Sequence, residues 1–206
     1  MQLCVSMCLI SMGSKATTVY FIRHAQADNS VSDGRMRPLT KKGADDTSLV
    51  DQFLQDKGID LIFSSPYKRS VDTLATFAQK NCLEIELVED FRERKSDSDW
   101  DRKNDFIPFF KRQWADFSYT LSDGESLSEV QARNISALKV ILAENAGKNI
   151  VIGTHGIALS TIINYYDNTY GLEDFAAMAP ITPWVAKMEF DGDCCSGIEK
   201  IDLFSV

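Results

Sequence analysis

The chain has 206 residues, of which 44% are hydrophobic and 25% charged, the size and composition of one globular domain with room for a small insertion. That excludes a disordered or collagen-like chain, and a formal net charge of −8 from 30 acidic and 22 basic residues makes nucleic acid a poor partner. Only two histidines occur, His24 and His155, so each carries unusual information.

Five cysteines, Cys4, Cys8, Cys82, Cys194 and Cys195, form neither a regular framework nor a CxxC pair, which fits a reducing, cytoplasmic setting without a metal site. The apolar residues 1–16 lack a basic start and a small-residue cleavage pattern, and are read as a leader preceding the domain. No run is long enough to cross a bilayer.

Thr17 to Ile22 is β-branched and aromatic and predicts a buried strand that stops at Arg23-His24. Thr40 is placed to cap a helix through Ala44, Val50, Phe53 and Leu54, with Gly58 as its stop. Asp60 to Ser64 predicts a second strand; Ser65 as N-cap and Pro66 at the first helical position predict a helix through Val71, Leu74, Ala75 and Ala78. Leu83 to Val88 reads as a third strand. Residues 89–122 are charged and aromatic without strand character and are expected to form an insertion with short helices. Ser126 and Glu129 make a capping box for a helix through Val130, Ile135, Leu138, Ile141 and Leu142 that ends near Gly147. Asn149 to Thr154 predicts a strand ending at His155, followed by a helix over 157–166; Trp184 to Phe190 and Ile198 to Val206 read as strands around the turn-rich 191–197.

Alternating strands and helices predict an α/β layered fold with a largely parallel sheet. Three strands end at polar groups (Arg23-His24, Ser64-Ser65 and His155-Gly156), and ligands of open α/β sheets bind beyond the carboxyl ends of strands. Both histidines are therefore expected at one sheet edge. A neutral imidazole attacks phosphorus and arginine grips phosphate oxygens, so the pairing of Arg23 with His24 suggests phosphoryl transfer.

These residues resemble the histidine phosphatase (phosphoglycerate mutase-like) superfamily. Arg23-His24-Ala25-Gln26 is similar to its Arg-His-Gly signature, Pro38 to Gly43 to the intervening helix start, and Ser64 to Thr73 to the motif with an arginine early in a helix. Phe91-Arg92-Glu93 resembles the segment with the acidic proton donor, Asp123 to Arg133 the Gly-Glu-Ser segment, and Gly153 to Gly156 the second-histidine motif. The resemblance runs from Val19 to Gly156, about two-thirds of the chain. It implies a three-layer α/β/α sandwich in which His24 becomes phosphohistidine, Arg23, Arg69 and His155 bind the phosphoryl group, and Glu93 protonates the leaving group and then activates water. By strict count the polar residue of the first loop is Ser30, with Asn29 one place off; Asp90, Asp97 and Asp99 compete with Glu93, and Lys68 and Arg92 are expected to face solvent. At an effective dielectric of about 20 a charge pair at about 4 Å is worth on the order of 4 kcal/mol, so two arginines offset the acidic background locally.

Ala25 and Ala27 depart from the pattern, as does the continuation Arg94-Lys95-Ser96-Asp97, which differs from that of cofactor-dependent mutases. The resemblance thus implies a metal-independent phosphomonoester hydrolase needing no cofactor, with a phosphoglycerate mutase-type phosphotransferase or a phospholigand-binding protein without turnover as alternatives. A small phosphorylated metabolite is the expected substrate, a phosphoprotein the other. Trp100 either echoes a family glycine-tryptophan motif or packs the insertion.

Overall fold

The computed structural model describes residues 16–99 and 106–205, so residues 1–15 of the leader and Trp100 lie outside the described residues. Six strands form one sheet: β1 (Thr17–Arg23), β2 (Leu61–Ser64), β3 (Ile85–Leu87), β4 (Asn149–Thr154), β5 (Trp184–Asp191) and β6 (Cys194–Ile201), in the order β3-β2-β4-β1-β5-β6. β3, β2, β4 and β1 run parallel; β5 and β6 close one side antiparallel.

Period-two side-chain alternation in the strands makes this a three-layer molecule. Tyr20, Ile22, Ile62 and Val151 point to one face, where they bury Val50 and Leu54 of α1 (Lys41–Leu54) and Leu74, Phe77 and Ala78 of α2 (Lys68–Lys80). Val19, Phe21, Phe63, Ile150 and Ile152 point to the other. There they meet α4 (Leu127–Glu144) through Ile135, Leu138, Ile141 and Leu142, and α5 (Gly156–Tyr166) through Leu159, Ile162 and Ile163. Each such aliphatic or aromatic side chain, fully buried, contributes about 1.5–3 kcal/mol.

Among the described residues the insertion holds a 3₁₀ turn, Glu89–Phe91, and α3 (Phe106–Ala115). Two of its aromatics, Phe91 and Phe110, join the α4/α5 cluster, and Phe110 lies 5.1 Å, ring to ring, from Phe175 of α6 (Leu172–Met178).

Several expectations are corrected. α2 begins at Lys68 with Tyr67 as its N-cap residue, because the Ser65 hydroxyl, expected to cap it, accepts from Tyr67 N at 3.2 Å and leaves Pro66 outside the helix. Ala44 and Ala75 are exposed, the buried positions being Gly43 and Phe77. β6 starts at Cys194, inside the stretch read as turn: Gly192, at φ +60°, supplies the left-handed conformation, so the reversal is tight. A register shift between Glu189 and Phe190 then interrupts the β5–β6 ladder. β3 is only three residues long, and α6 was not anticipated.

The capping box of Ser126 and Glu129 is present, and Thr40 caps α1 by accepting from Gly43 N. Gly43 lies against the first loop so closely that a Cβ would fall 2.1 Å from Gln26 O. That contact presses α1 onto the backbone just after His24. Gly43→Ala is therefore expected to destabilise the fold by at least about 1–3 kcal/mol, the usual cost of overpacking. Urea unfolding checks this, and an unchanged midpoint would refute it.

Candidate active site

Register brings three strand ends together. Arg23 of β1 is opposite Thr154 of β4, and Ser64 of β2 is opposite Gly153. The ladder continues one step beyond the strands, His24 N donating to Thr154 O at 3.1 Å and Ser65 N to Gly153 O at 2.9 Å. Gly153 is needed for this approach: a Cβ there would lie 2.7 Å from Ser64 Oγ and 2.8 Å from Ser70 Oγ. After β1 the chain departs towards the α1/α2 face and after β4 towards the α5 face, which opens a crevice at that edge.

His24 Nδ1 sits 2.7 Å from the carbonyl oxygen of Ala25. A carbonyl only accepts, so Nδ1 carries the proton and Nε2 presents its lone pair. Arg69 Nε donates to that Nε2 at 3.0 Å. Burial, then the charges of Arg69 and Arg23, holds the His24 pKa well below its ordinary 6.5, so the ring is neutral at neutral pH. The alanine found in place of the family glycine is compatible with this geometry: Ala25 is buried, its N donating to Thr73 Oγ1 at 3.0 Å while Thr73 Oγ1 donates to Arg69 O at 2.7 Å.

His155 is fully buried, its ring centroid 5.2 Å from that of His24 and 5.0 Å from that of Tyr67. Its Nε2 lies 2.7 Å from Ser65 Oγ. Burial first, then Arg69, keeps its pKa well below 6.5 as well.

The arginines are held by neutral oxygens. Arg23 Nη1 donates to Met178 O at 2.8 Å and Ile181 O at 3.0 Å, so α6 anchors it. Its Nε is buried without a partner, close to Gly156. Burial lowers its pKa to about 10, which still leaves it charged near neutrality. Arg69 Nη1 donates to Gly34 O at 2.6 Å, and its guanidinium lies 5.0 Å from the centre of the Tyr67 ring. Burial lowers the Arg69 pKa too, against the pull of Glu93.

Glu93 spans the start of α5. Its Oε1 accepts from Arg94 N at 2.8 Å and Ala158 N at 3.2 Å, and its Oε2 from Ile157 N at 3.2 Å. The backbone behind it is clamped by Glu125, which accepts from Arg92 at 2.8 Å, from Arg133 at 2.9 Å and from Lys95 N at 2.8 Å. Burial alone would raise the pKa of Glu125, but the Arg133 and Arg92 hydrogen bonds outweigh it and bring it down to about 2. Arg133 in turn donates to Arg92 O at 2.9 Å.

Arg23, His24, Arg69 and His155 thus converge, with the charge of Glu93 acting on both arginines. Ser30 does not join them: it is exposed, and its hydroxyl donates to Asp28 Oδ1 at 2.7 Å. Arg92, expected in solvent, is partly buried on Glu125, whereas Lys68 is exposed and pairs with Asp72. Asp97 is buried and structural, accepting from Leu121 N, Ser122 N and Gly124 N. Sequence reasoning missed Glu125 as a clamp, and it missed Arg37, whose charge acts on His24 and Arg69. Arg37 donates to Val31 O at 3.0 Å and Asn29 Oδ1 at 3.1 Å, and among the described residues it makes no ion pair. Its only signal was a basic residue directly before Pro38. Among the described residues no three His, Cys, Asp or Glu side chains gather as metal ligands, and no helix is long and apolar enough to cross a membrane.

A family model, that of the histidine phosphatase superfamily (branch 1), matches residues 19–196. Among solved structures, Bacillus stearothermophilus YhfR is 26% identical with a TM-score of 0.70 over 87% of this chain and 94% of its own. A mycobacterial glucosyl-3-phosphoglycerate phosphatase is 18% identical (TM-score 0.68; 90% and 97% covered), and a phosphoglycerate mutase from Bacillus anthracis str. Sterne 17% identical (TM-score 0.72; 93% and 95% covered). No curated protein matches the chain.

The two depressed histidine pKa values tie stability to pH. Below about 6.5 the unfolded chain protonates both rings while the folded one does not, so stability is present above about pH 7 and falls as pH drops towards the folded-state pKa values. In urea unfolding from about pH 7 to about pH 5, His24→Asn should lose stability less steeply than wild type; identical slopes would contradict this assignment.

Proposed function

The chain belongs to the histidine phosphatase superfamily, branch 1, and from that premise we propose that it is a metal-independent phosphomonoester hydrolase working through a phosphohistidine on His24. The observation that carries this is the bond from His24 Nδ1 to Ala25 O, which leaves Nε2 as a lone pair facing Arg69.

In this reading Nε2 attacks phosphorus, and Arg69 Nε passes its hydrogen bond from the imidazole to a phosphoryl oxygen. Arg23, whose Nε has no protein partner, Arg69 and His155 hold the equatorial oxygens, and Arg37 adds a third positive charge. Preorganised cations stabilise the charge that phosphoryl transfer spreads over these oxygens, and they supply that stabilisation without a metal ion. Glu93 gives a proton to the leaving oxygen, then takes one from the water that attacks phosphohistidine. Its clamping by Arg133 and Glu125 supports the assignment, since a general acid must be fixed in position.

Hydrolysis is favoured over a mutase because the stretch after Glu93 is committed to the insertion's own structure. Arg94 pairs with buried Asp97, and Lys95 with Asp123, instead of offering groups to a second phosphate. A small phosphorylated metabolite is the preferred substrate, and a phosphoprotein is the other reading.

With chelator present, the pure protein should hydrolyse phosphomonoesters, and an alkaline quench of a radiolabelled turnover should trap label on wild type and none on His24→Ala. Turnover without trapped label would rule the mechanism out. Glu93→Gln should lower kcat/KM, which reads the step that expels the leaving group, by about 10²–10⁴-fold for alkyl phosphates and far less for p-nitrophenyl phosphate, whose leaving group needs no proton. Equal losses on both substrates would remove Glu93 from the acid role.

A further inference from the structure

Ser65 has no part in the scheme above, and neither does the choice of which His155 nitrogen carries the proton. Ser65 is fully buried at the carboxyl end of β2, its Oγ 2.7 Å from His155 Nε2. The same oxygen accepts from Tyr67 N at 3.2 Å. His155 Nδ1 is buried and makes no hydrogen bond. The ring is neutral, so it holds one proton, and the two placements differ in what they leave unsatisfied.

With the proton on Nε2, Ser65 Oγ would accept twice, from Tyr67 N and from the ring, and its own hydrogen would be stranded in a buried site. With the proton on Nδ1, Ser65 accepts from Tyr67 N and donates to Nε2, so both of its roles are filled. The group then left over is the Nδ1 N–H, a donor among Arg69 of α2, Arg23 of β1, Arg133 of α4 and His24, the surroundings in which an anion is bound.

We infer that Ser65 is a positioning residue: by donating its hydroxyl hydrogen to His155 Nε2 it keeps the proton on Nδ1, so that His155 meets a phosphoryl oxygen as a hydrogen-bond donor. The two histidines then share one tautomer and show opposite ends of it. His24, with Nδ1 tied to a carbonyl, offers the lone pair of Nε2; His155, with Nε2 tied to a hydroxyl, offers the N–H of Nδ1. One ring is the nucleophile and the other binds the oxygen it must not repel. This inference rests on the reading that the site handles a phosphoryl group.

The scarcity of histidine makes the test direct, because ¹⁵N-histidine labelling gives spectra with two rings, assigned with His24→Asn. Wild-type His155 should show a protonated Nδ1 and a bare Nε2. Ser65→Ala should show a mixed or reversed tautomer, bind inorganic phosphate about tenfold more weakly and lose roughly ten- to a hundredfold in kcat; Ser65→Thr should restore all three within a few-fold. A wild-type His155 protonated on Nε2 would overturn the inference, and the wild-type spectrum decides this even if Ser65→Ala fails to fold. An unchanged tautomer in folded Ser65→Ala would overturn it as well. The expected tautomers in a protein that turns over no phosphomonoester would leave Ser65 in its role and sink the hydrolase reading instead.

Discussion

Crowding of like charge is the constraint around which the site is built. Arg23, Arg69 and Arg37 act on one another or on His24 in a region where burial is the largest influence on His24, His155, Arg23 and Arg69. The chain has 30 carboxylate side chains with which to neutralise them, yet among the described residues the hydrogen-bond acceptors of these three arginines are all neutral: Met178 O and Sδ, Ile181 O, Gly34 O, Val31 O, Asn29 Oδ1 and the His24 ring. Neutral acceptors orient a guanidinium without cancelling its charge. A carboxylate partner would have to be displaced, or its repulsion overcome, before an anion could bind. Arg92, Arg133 and Arg35, in contrast, do take carboxylates, Arg92 and Arg133 pairing with Glu125 and Arg35 with Glu89.

What was legible in the sequence follows from what is local. The β-branched runs, the Ser126–Glu129 capping box and the polar residues ending β1, β2 and β4 are short-range signals, and they were enough to bring Arg23, His24 and His155 to one sheet edge, whereas Arg69 was legible only through the resemblance of residues 64–73 to a family motif. α6 was invisible because seven residues are too few to show a helical period, and its importance is entirely tertiary: its last carbonyl holds Arg23. Arg92 and Glu125 look like surface charges in a charged stretch until the fold brings positions 33 residues apart into contact. Ser30 failed for the opposite reason, since counting along a motif assumes the loop's path, and Asp28 bends this loop by accepting from Ser30 N and Oγ.

Glu93 shows how the layers cooperate. The carboxylate is held on one side by the first N–H groups of α5, which follows His155 directly. Its main chain is held on the other by Arg133, in the second turn of α4. The two helices pack on each other over the same sheet face, so His155 and the scaffold of Glu93 rest on one pair of packed helices. The 3₁₀ turn, the clamp at Glu125 and the packing of Phe110 against the α4/α5 cluster connect this assembly to the insertion.

The two rims of the sheet differ in kind. An open sheet exposes unpaired N–H and C=O groups at each outer strand, a template that another chain can extend. β3 blunts one rim by brevity, three residues with Glu86 exposed at its centre. β6 is long, but its ladder is broken opposite Glu189 and Phe190, and exposed Glu199 and Lys200 stand beyond the break. Neither rim is both long and flat, so a chain with a strongly apolar parallel centre carries its protection against edge-to-edge growth in one short margin and one irregular one.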